Sequence, residues 1–323
     1  MQRVTDKMLP ADERQPPAHG GGRRIVIQGL RLLVLGVIAF FILRVLIRHG
    51  AGLAGYRFQI RPLAFVASVA VLLLYYFCLA ELYRRILEAL EAPLPFWRSG
   101  GIYYYSGLSR YIPGKVWPLL GRVILLKREG ISEAIGSASI LLETALNMGS
   151  ALGVFILTFP FWKSHGFPVS PYLILGLLPV GFIILYPKVL TAALNWILRK
   201  LKRPQLSGEL KYTRMILLAI GYGANWLILG AAFYLFSHAF GFDPSIGFLE
   251  ITGMFCLAWA AGFLSFLAPA GLVVREGILA ALLTLLMPKE WAVLISISSR
   301  VWMIIAEVAV AILFMKIGFK KDA

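Results

Sequence analysis

Long apolar runs separated by short polar connections follow one another from about residue 25 to residue 315. A helix crosses the hydrocarbon core of a bilayer with about 20 mostly apolar residues. On that rule the pattern predicts about eight crossings, at roughly 25–47, 63–83, 131–159, 172–190, 213–236, 247–267, 273–288 and 291–315. The fold class expected from it is all-α, a polytopic integral membrane helical bundle.

The composition agrees with membrane spans and argues against a large water-soluble domain. Hydrophobic residues make up 59% and charged residues 15% of the 323 positions, and the mean hydropathy is +0.78. Because no polar domain carries the formal net charge of +16, nucleic acid is not expected as a partner. Residues 1–22 are polar and rich in Pro and Gly, which predicts a disordered cytoplasmic tail before a single transmembrane domain over 23–323.

Lysine and arginine are concentrated in particular loops. The loops over 84–128 and 199–214 are strongly basic, whereas the connection over 237–250 contains neither residue type. The positive-inside rule places the two basic loops and both termini in the cytoplasm. Arginines around the first outer turn run against this bias, but the other loops outweigh them. We therefore expect a multi-pass protein of a bacterial or archaeal-type plasma (inner) membrane.

Two segments interrupted by Pro and Gly occupy similar places in the two halves of the chain. The stretches LSRYIPG, from Leu108, and LSFLAPA, from Leu264, share Leu-Ser, a proline five residues after the leucine, and a small residue after the proline. Interrupted backbone persists at membrane depth only where protein or a wet cavity supplies its partners. Paired broken segments are typical of a transport site built from discontinuous helices. The pattern predicts two re-entrant segments and a candidate internal repeat, with the breaks at Pro113, Gly114, Pro269 and Gly271.

A second interpretation of the first broken segment remains open. Residues 101–127 also fit an interfacial amphipathic helix held by aromatic residues at the membrane surface, namely Tyr103, Tyr104, Tyr105 and Trp117. The re-entrant interpretation is preferred, because the second segment provides a counterpart. The seventh crossing agrees with it, since its clean apolar stretch of about 12 residues suits a half-helix.

Charged residues near the breaks and inside the spans are the candidate site. Free N–H groups at a helix break with cations nearby suit a phosphate, so phosphate binding is assigned to Arg110, Lys115, Arg122 and Arg275. Charges in a span are costly and are expected to face the bundle interior in pairs. Gating or neutralisation is assigned to Glu143, Asn147, Glu276, Arg300 and Glu307. Glu143 and Arg300 are the candidate interhelical pair, whose role is either functional or purely structural.

Enzyme, metal and cofactor chemistry are not expected. The sequence has no GxSxG, HExxH or Walker motif, and three isolated carboxylates do not form a catalytic constellation. Its two cysteines and four histidines are scattered, which predicts neither a disulfide framework nor a zinc site.

Several motifs resemble one membrane protein family. SGLSRYIPGKVW, GRVILLKREGIS, LLETALNMG and, most specifically, APAGLVVREGILAALL look like the transmembrane region of lysylphosphatidylglycerol synthases. That family includes free-standing flippase-like proteins, and its synthase branch carries a soluble aminoacyl-transferase domain after the membrane part. Because this chain stops at Ala323, it resembles the translocating portion alone.

The resemblance and the polar breaks together predict a membrane lipid translocase. It would move an anionic phospholipid or a polyprenyl-phosphate-linked lipid between leaflets through a polar intramembrane cavity. The alternative is a non-transporting membrane subunit that presents lipid to a glycosyltransferase or another lipid or cell-envelope biosynthetic enzyme. The expected partner is an anionic lipid headgroup in both cases.

Overall fold

The computed structural model describes residues 61–109, 117–162, 187–200, 211–241, 247–265 and 274–319. Those ranges are helical and contain no strand, which confirms the all-α class. The helices are α1 (Pro62–Ala89), α2 (Phe96–Leu108), α3 (Trp117–Arg128), α4 (Glu133–Thr158), α5 (Pro187–Lys200), α6 (Tyr212–Ala239), α7 (Phe248–Leu264), α8 (Val274–Leu283) and α9 (Lys289–Gly318). A 3₁₀ turn, Phe159–Phe161, continues α4.

Four of these helices are long and apolar enough to cross a membrane, so the chain is a multi-pass membrane protein. They are α1, α4 with its 3₁₀ turn, α6 and α9, of 28, 29, 28 and 30 residues. They match the predicted crossings 63–83, 131–159, 213–236 and 291–315. The apolar helix α7 has 17 residues and α8 has 10. The crossing 25–47, most of 172–190 and the tail 1–22 lie outside the described residues, and the count of eight stays a prediction.

Local sequence explains where the helices begin and turn. Pro62 starts α1, where its missing N–H costs no hydrogen bond. Ser132 caps α4 by accepting the N–H of Ile135 at 3.3 Å. Gly130, with φ of +79°, makes the left-handed turn between α3 and α4. The cap and the glycine together allow α4 to start three residues after Gly130.

The long helices share two ends of the bundle. At one end the guanidinium of Arg214, in α6, donates to the carbonyl of Glu88, in α1, at 3.4 Å. At the other the N–H of Arg61 donates to the carbonyl of Ala239 at 2.9 Å. Helices α1 and α6 are therefore antiparallel. We call the end with Glu88 and Arg214 the basic end and the end with Arg61 and Ala239 the far end.

The short helices α2 and α3 both have their outer termini at the basic end. The Arg98 guanidinium, in the first turn of α2, donates to the Gly318 carbonyl at the end of α9. The same side chain binds the Glu129 carboxylate, just after α3, at 2.5–2.8 Å. Helix α2 also lies tightly against α9, because a Cβ at Gly100 would overlap the Phe314 ring. Helices α2 and α3 thus enter and leave the bundle at one end.

Helices α7 and α8 have their outer termini at the far end, as α2 and α3 have theirs at the basic end. Helix α7 follows the end of α6, and α8 leads into the start of α9. The two meet inside the bundle, where a Cβ at Gly262 would lie 2.7 Å from the Arg275 Cβ. The Ser296 hydroxyl donates to the Glu276 carbonyl at 2.8 Å, so α8 runs antiparallel to the first turns of α9.

Close packing of α6 on α7 gives a test of the fold. A Cβ at Gly230 would overlap the Thr252 side chain, so Gly230→Ala should destabilise the detergent-purified protein by about 1–3 kcal/mol in thermal unfolding. Gly149, in α4, is the matched control, because no described atom lies within 4 Å of its Cβ position. Gly149→Ala should leave stability unchanged or raise it by up to about 1 kcal/mol. Equal effects of the two substitutions would contradict this packing.

Candidate functional site

Arg122 and Glu143 form a buried ion pair between α3 and α4. Their side chains are separated by 3.3 Å, and the two residues are 6% and 9% exposed. The Arg122 Nε also donates to the Ser106 hydroxyl at 3.1 Å, and the Tyr103 hydroxyl donates to Glu143 at 3.3 Å. The Glu143 carboxylate lies about 15 Å along a helix of about 39 Å, well inside the span, where an unpaired charge would cost about 2.5–3.5 kcal/mol.

Aromatic rings enclose this pair on two sides. The Arg122 guanidinium lies 4.4 Å from the centroid of the Tyr103 ring and 4.9 Å from that of Tyr83. The Tyr83 hydroxyl is itself held by Ser139, 3.2 Å away. Cation–π contacts are strongest where water is excluded. Arg122 is thus fully engaged by α1, α2 and α4, and the cluster is closed.

A second charged cluster joins α8 to α9. One oxygen of the Glu276 carboxylate lies 3.6 Å from the Arg275 guanidinium and 3.7 Å from that of Arg300. Arg275 is 4% exposed, and its guanidinium lies over the Phe255 ring and donates to the Met303 sulfur at 3.3 Å. Sulfur is a weak acceptor. Two cations therefore share one carboxylate at long distances.

A polar cavity of about 100 Å³ opens beside this second cluster, with room for several water molecules. Five of the bundle's other helices and α8 line it, with Tyr75, Tyr76, Leu79, Tyr103, Tyr104, Asn147, Trp259, Arg275, Arg300, Met303, Ile304 and Glu307. Arg300 lies about 17 Å along a helix of about 45 Å, so the cavity lies well inside the bundle. Within the described part of the chain, no group of three His, Cys, Asp or Glu residues could hold a metal ion.

Both cavity arginines have hydrogen-bond donors to spare. The Nε atoms of Arg275 and Arg300 are buried and have no hydrogen-bond partner among the described residues. A buried charged donor without an acceptor is costly. An anion in the cavity would lie beside both guanidinium groups and balance their positive charge. The arrangement is chemically suited to bind an oxyanion.

The structure brings together most of the described residues that the sequence singled out. The same cavity is lined by Arg275, Arg300, Asn147 and Glu307. Glu276 contacts both arginines of the cavity. The predicted pairing of Glu143 with Arg300 is wrong, because Glu143 contacts Arg122 and Arg300 contacts Glu276. The remaining predicted residues, Arg110, Pro113, Gly114, Lys115, Pro269 and Gly271, lie outside the described residues.

The sequence interpretation missed the buried tyrosines. Tyr103 and Tyr104 were assigned to an interfacial belt only in the alternative interpretation, yet they are 5% and 1% exposed, whereas Tyr105 is 39% exposed. A signal was present in the residues around them. Three glycines and two serines in α2, all of them buried, leave the helix narrow enough to enter the bundle and carry its tyrosines to the centre.

Comparison with known proteins gives a match over most of the chain. A family model described as the lysylphosphatidylglycerol synthase TM region matches residues 28–311. The matched range includes every described site residue, and it confirms the resemblance read from the motifs. No curated protein sequence matches the chain.

The buried pair predicts strong energetic coupling. Arg122→Gln leaves a buried carboxylate without its cation, and Glu143→Gln leaves the reverse, so each should lower the free energy of unfolding by about 3–5 kcal/mol. The double variant should lose less than the sum, in a cycle measured by unfolding in detergent. Arg85→Gln is the control: it contacts Glu81 from a side chain 58% exposed and should cost about 0–1 kcal/mol. Additive losses at Arg122 and Glu143 would contradict the pairing.

Proposed function

Because the chain belongs to the lysylphosphatidylglycerol synthase transmembrane-region family, we propose that it is a flippase-like lipid translocase. It moves an anionic lipid between leaflets by passing the headgroup through the mid-depth cavity while the acyl or prenyl chains stay in the bilayer. In this proposal the protein transports lipid and does not catalyse a reaction on it. Its site is the membrane of a bacterial or archaeal-type cell envelope.

The observation that carries the proposal is the pair of buried guanidinium groups in the cavity. Arg275 and Arg300 each keep a buried Nε donor without a partner among the described residues, although both lie in a membrane-spanning bundle. Planar guanidinium groups bind phosphate through two parallel hydrogen bonds. A lipid phosphate in the cavity would place a negative charge beside both guanidinium groups. This need for an acceptor supports an anionic headgroup as the substrate.

The remaining cavity groups suit the passage of a charged headgroup. Glu276 contacts both arginines only at 3.6–3.7 Å, so neither guanidinium is held by a short ion pair to it. Asn147 and Glu307 add polar side chains to the wall. We assign Glu276 and Glu307 to neutralising the arginines when no lipid is bound. Arg110 and Lys115, next to the first break, remain proposed phosphate contacts.

We propose that α2–α3 and α7–α8 are re-entrant hairpins. Helices of 13, 12 and 10 residues, as in α2, α3 and α8, are too short to cross about 30 Å of hydrocarbon. The ion pair between Arg98 and Glu129 supports an entry and exit at one end for the first hairpin. Broken helices that meet at mid-depth are the arrangement on which transport sites are built.

Lipid translocation in liposomes tests the function directly. Arg300→Gln should slow the transfer of fluorescent phosphatidylglycerol or of a fluorescent polyprenyl phosphate by about 10–100-fold, since a charge-assisted bond is lost. The lipid that the wild type moves identifies the source of the phosphate. Transfer is read from reduction of the outer-leaflet fluorophore by an impermeant reductant.

The controls separate a transporter from a lipid-presenting subunit. Arg85→Gln removes an arginine of α1 that lies in an exposed ion pair, and it should transport normally. If wild-type protein binds anionic lipid but moves neither probe, the presenting-subunit interpretation is correct. If Arg300→Gln transports at the wild-type rate, the cavity is not the pathway.

The orientation follows from the charge bias and is also proposed. The basic end faces the cytoplasm and the far end faces outward. Lys289, at the start of α9, and Arg128, at the end of α3, are exposed at opposite ends. In a background without Cys78 and Cys256, Lys289→Cys should react with an impermeant thiol reagent in intact cells. Arg128→Cys should react only after the membrane is opened, and the reverse pattern would overturn the orientation.

A further inference from the structure

The order of helices in the first half recurs in the second half. Helices α1, α2, α3 and α4 form a long helix, an incoming short helix, a returning short helix and a second long helix. Helices α6, α7, α8 and α9 follow the same order. The long helices α1 and α6 each have 28 residues. They run in opposite directions, so the first short pair belongs to the basic end and the second to the far end.

Two helix boundaries recur at the same spacing in the two halves, and the other boundaries after the first long helix differ from it by a few residues. Leu264, the last residue of α7, lies 156 positions after Leu108, the last residue of α2. Lys289, the first residue of α9, lies 156 positions after Glu133, the first residue of α4. The serines that follow the two leucines make equivalent bonds. Ser109 donates to the carbonyl three residues earlier at 2.5 Å, and Ser265 does so at 2.7 Å.

The contacts between the halves come in corresponding pairs, as a two-fold axis relating the halves would produce. Helix α2 of the first half packs on α9 of the second, and α7 of the second half packs on α4 of the first. Glycines allow close approach in both places. A Cβ at Gly100 would overlap Phe314 of α9, and one at Gly253 would overlap Thr158 of α4. These relations are those of an inverted repeat, in which the two halves take opposite orientations.

The two charged clusters occupy corresponding places in that repeat. Each joins a returning short helix to the middle of the long helix after it. On the 156-residue offset, Glu143 corresponds to position 299, next to Arg300, and Arg122 corresponds to position 278, about one turn from Arg275. One cluster is closed, with Arg122 held by Glu143, Ser106 and two tyrosine rings. The other borders the cavity, which Arg275 and Arg300 line.

From this correspondence we propose that Arg122 is a second phosphate-binding position, counterpart of the Arg275–Arg300 site. It becomes available when Glu143 releases it and the two halves exchange conformations. The headgroup would then be bound first by one cluster and then by the other during its passage. This inference rests on the proposed function. It adds a binding position that is blocked in the described conformation, because Glu143 occupies Arg122. Tyr103 lies between the two positions, since it stacks on Arg122 and lines the cavity.

A gain in binding distinguishes a phosphate position from a structural ion pair. Glu143→Gln removes the competing carboxylate, so dioctanoyl phosphatidylglycerol should bind the purified protein about tenfold more tightly than it binds wild type. Binding is measured as the ligand-induced shift in thermal unfolding in detergent. The uncharged dioctanoylglycerol should show no such gain. Arg122→Gln combined with Glu143→Gln should return the affinity to that of wild type.

The outcomes separate this inference from the function on which it rests. Wild-type affinity in Glu143→Gln, or a gain that survives Arg122→Gln, would overturn the second position. Loss of wild-type binding in Arg300→Gln concerns only the cavity site. Should Glu143→Gln fail to fold, Glu143→Asp shortens the side chain by one methylene and keeps the charge. It should give a smaller gain in the same direction, and no gain in that folded variant would equally overturn the proposal.

Discussion

The free-energy cost of placing a charged side chain inside a bilayer determines how the helices of this protein are arranged. Each ionised side chain placed there costs about 2.5–3.5 kcal/mol or more unless it finds a partner. The described chain meets that cost by bringing cations and carboxylates together from different helices, Arg122 with Glu143 and Arg300 with Glu276. In each cluster a short helix supplies one partner and a long helix the other. Arg122 of α3 meets Glu143 of α4, and Glu276 of α8 meets Arg300 of α9.

Tight helix contacts fix the positions of the helices that carry the charged clusters. Gly100 and Gly253 let the short helices approach the long ones, and a ring cluster around Phe314 fixes α2 against α1 and α9. Tyr104, in that cluster, also donates its hydroxyl to the Tyr76 carbonyl of α1. The walls of the cavity are thus held by packing outside it.

Hydropathy predicted the four long helices well, because the bilayer imposes one length on every span. The polar breaks also indicated which segments approach the site. Pairing was not predictable in the same way. Glu143 and Arg300 are both mid-span, and nothing in a linear sequence says that Glu143 faces α3 and Arg300 faces α8. The tyrosines were missed because interfacial and buried aromatic residues have the same composition, and only the small residues around Tyr103 and Tyr104 distinguish them.

A polar cavity inside a membrane carries a risk for the cell. If it connected both surfaces through water, protons and small ions would leak down their gradients, and the membrane potential would collapse. In this protein Tyr103 lines the cavity and also stacks on the Arg122 guanidinium, and Tyr83 lies against the same guanidinium. Aromatic rings packed against a charged group exclude water from it. A polar interior and a low permeability to ions are therefore compatible in one bundle where aromatic side chains shield the paired charges.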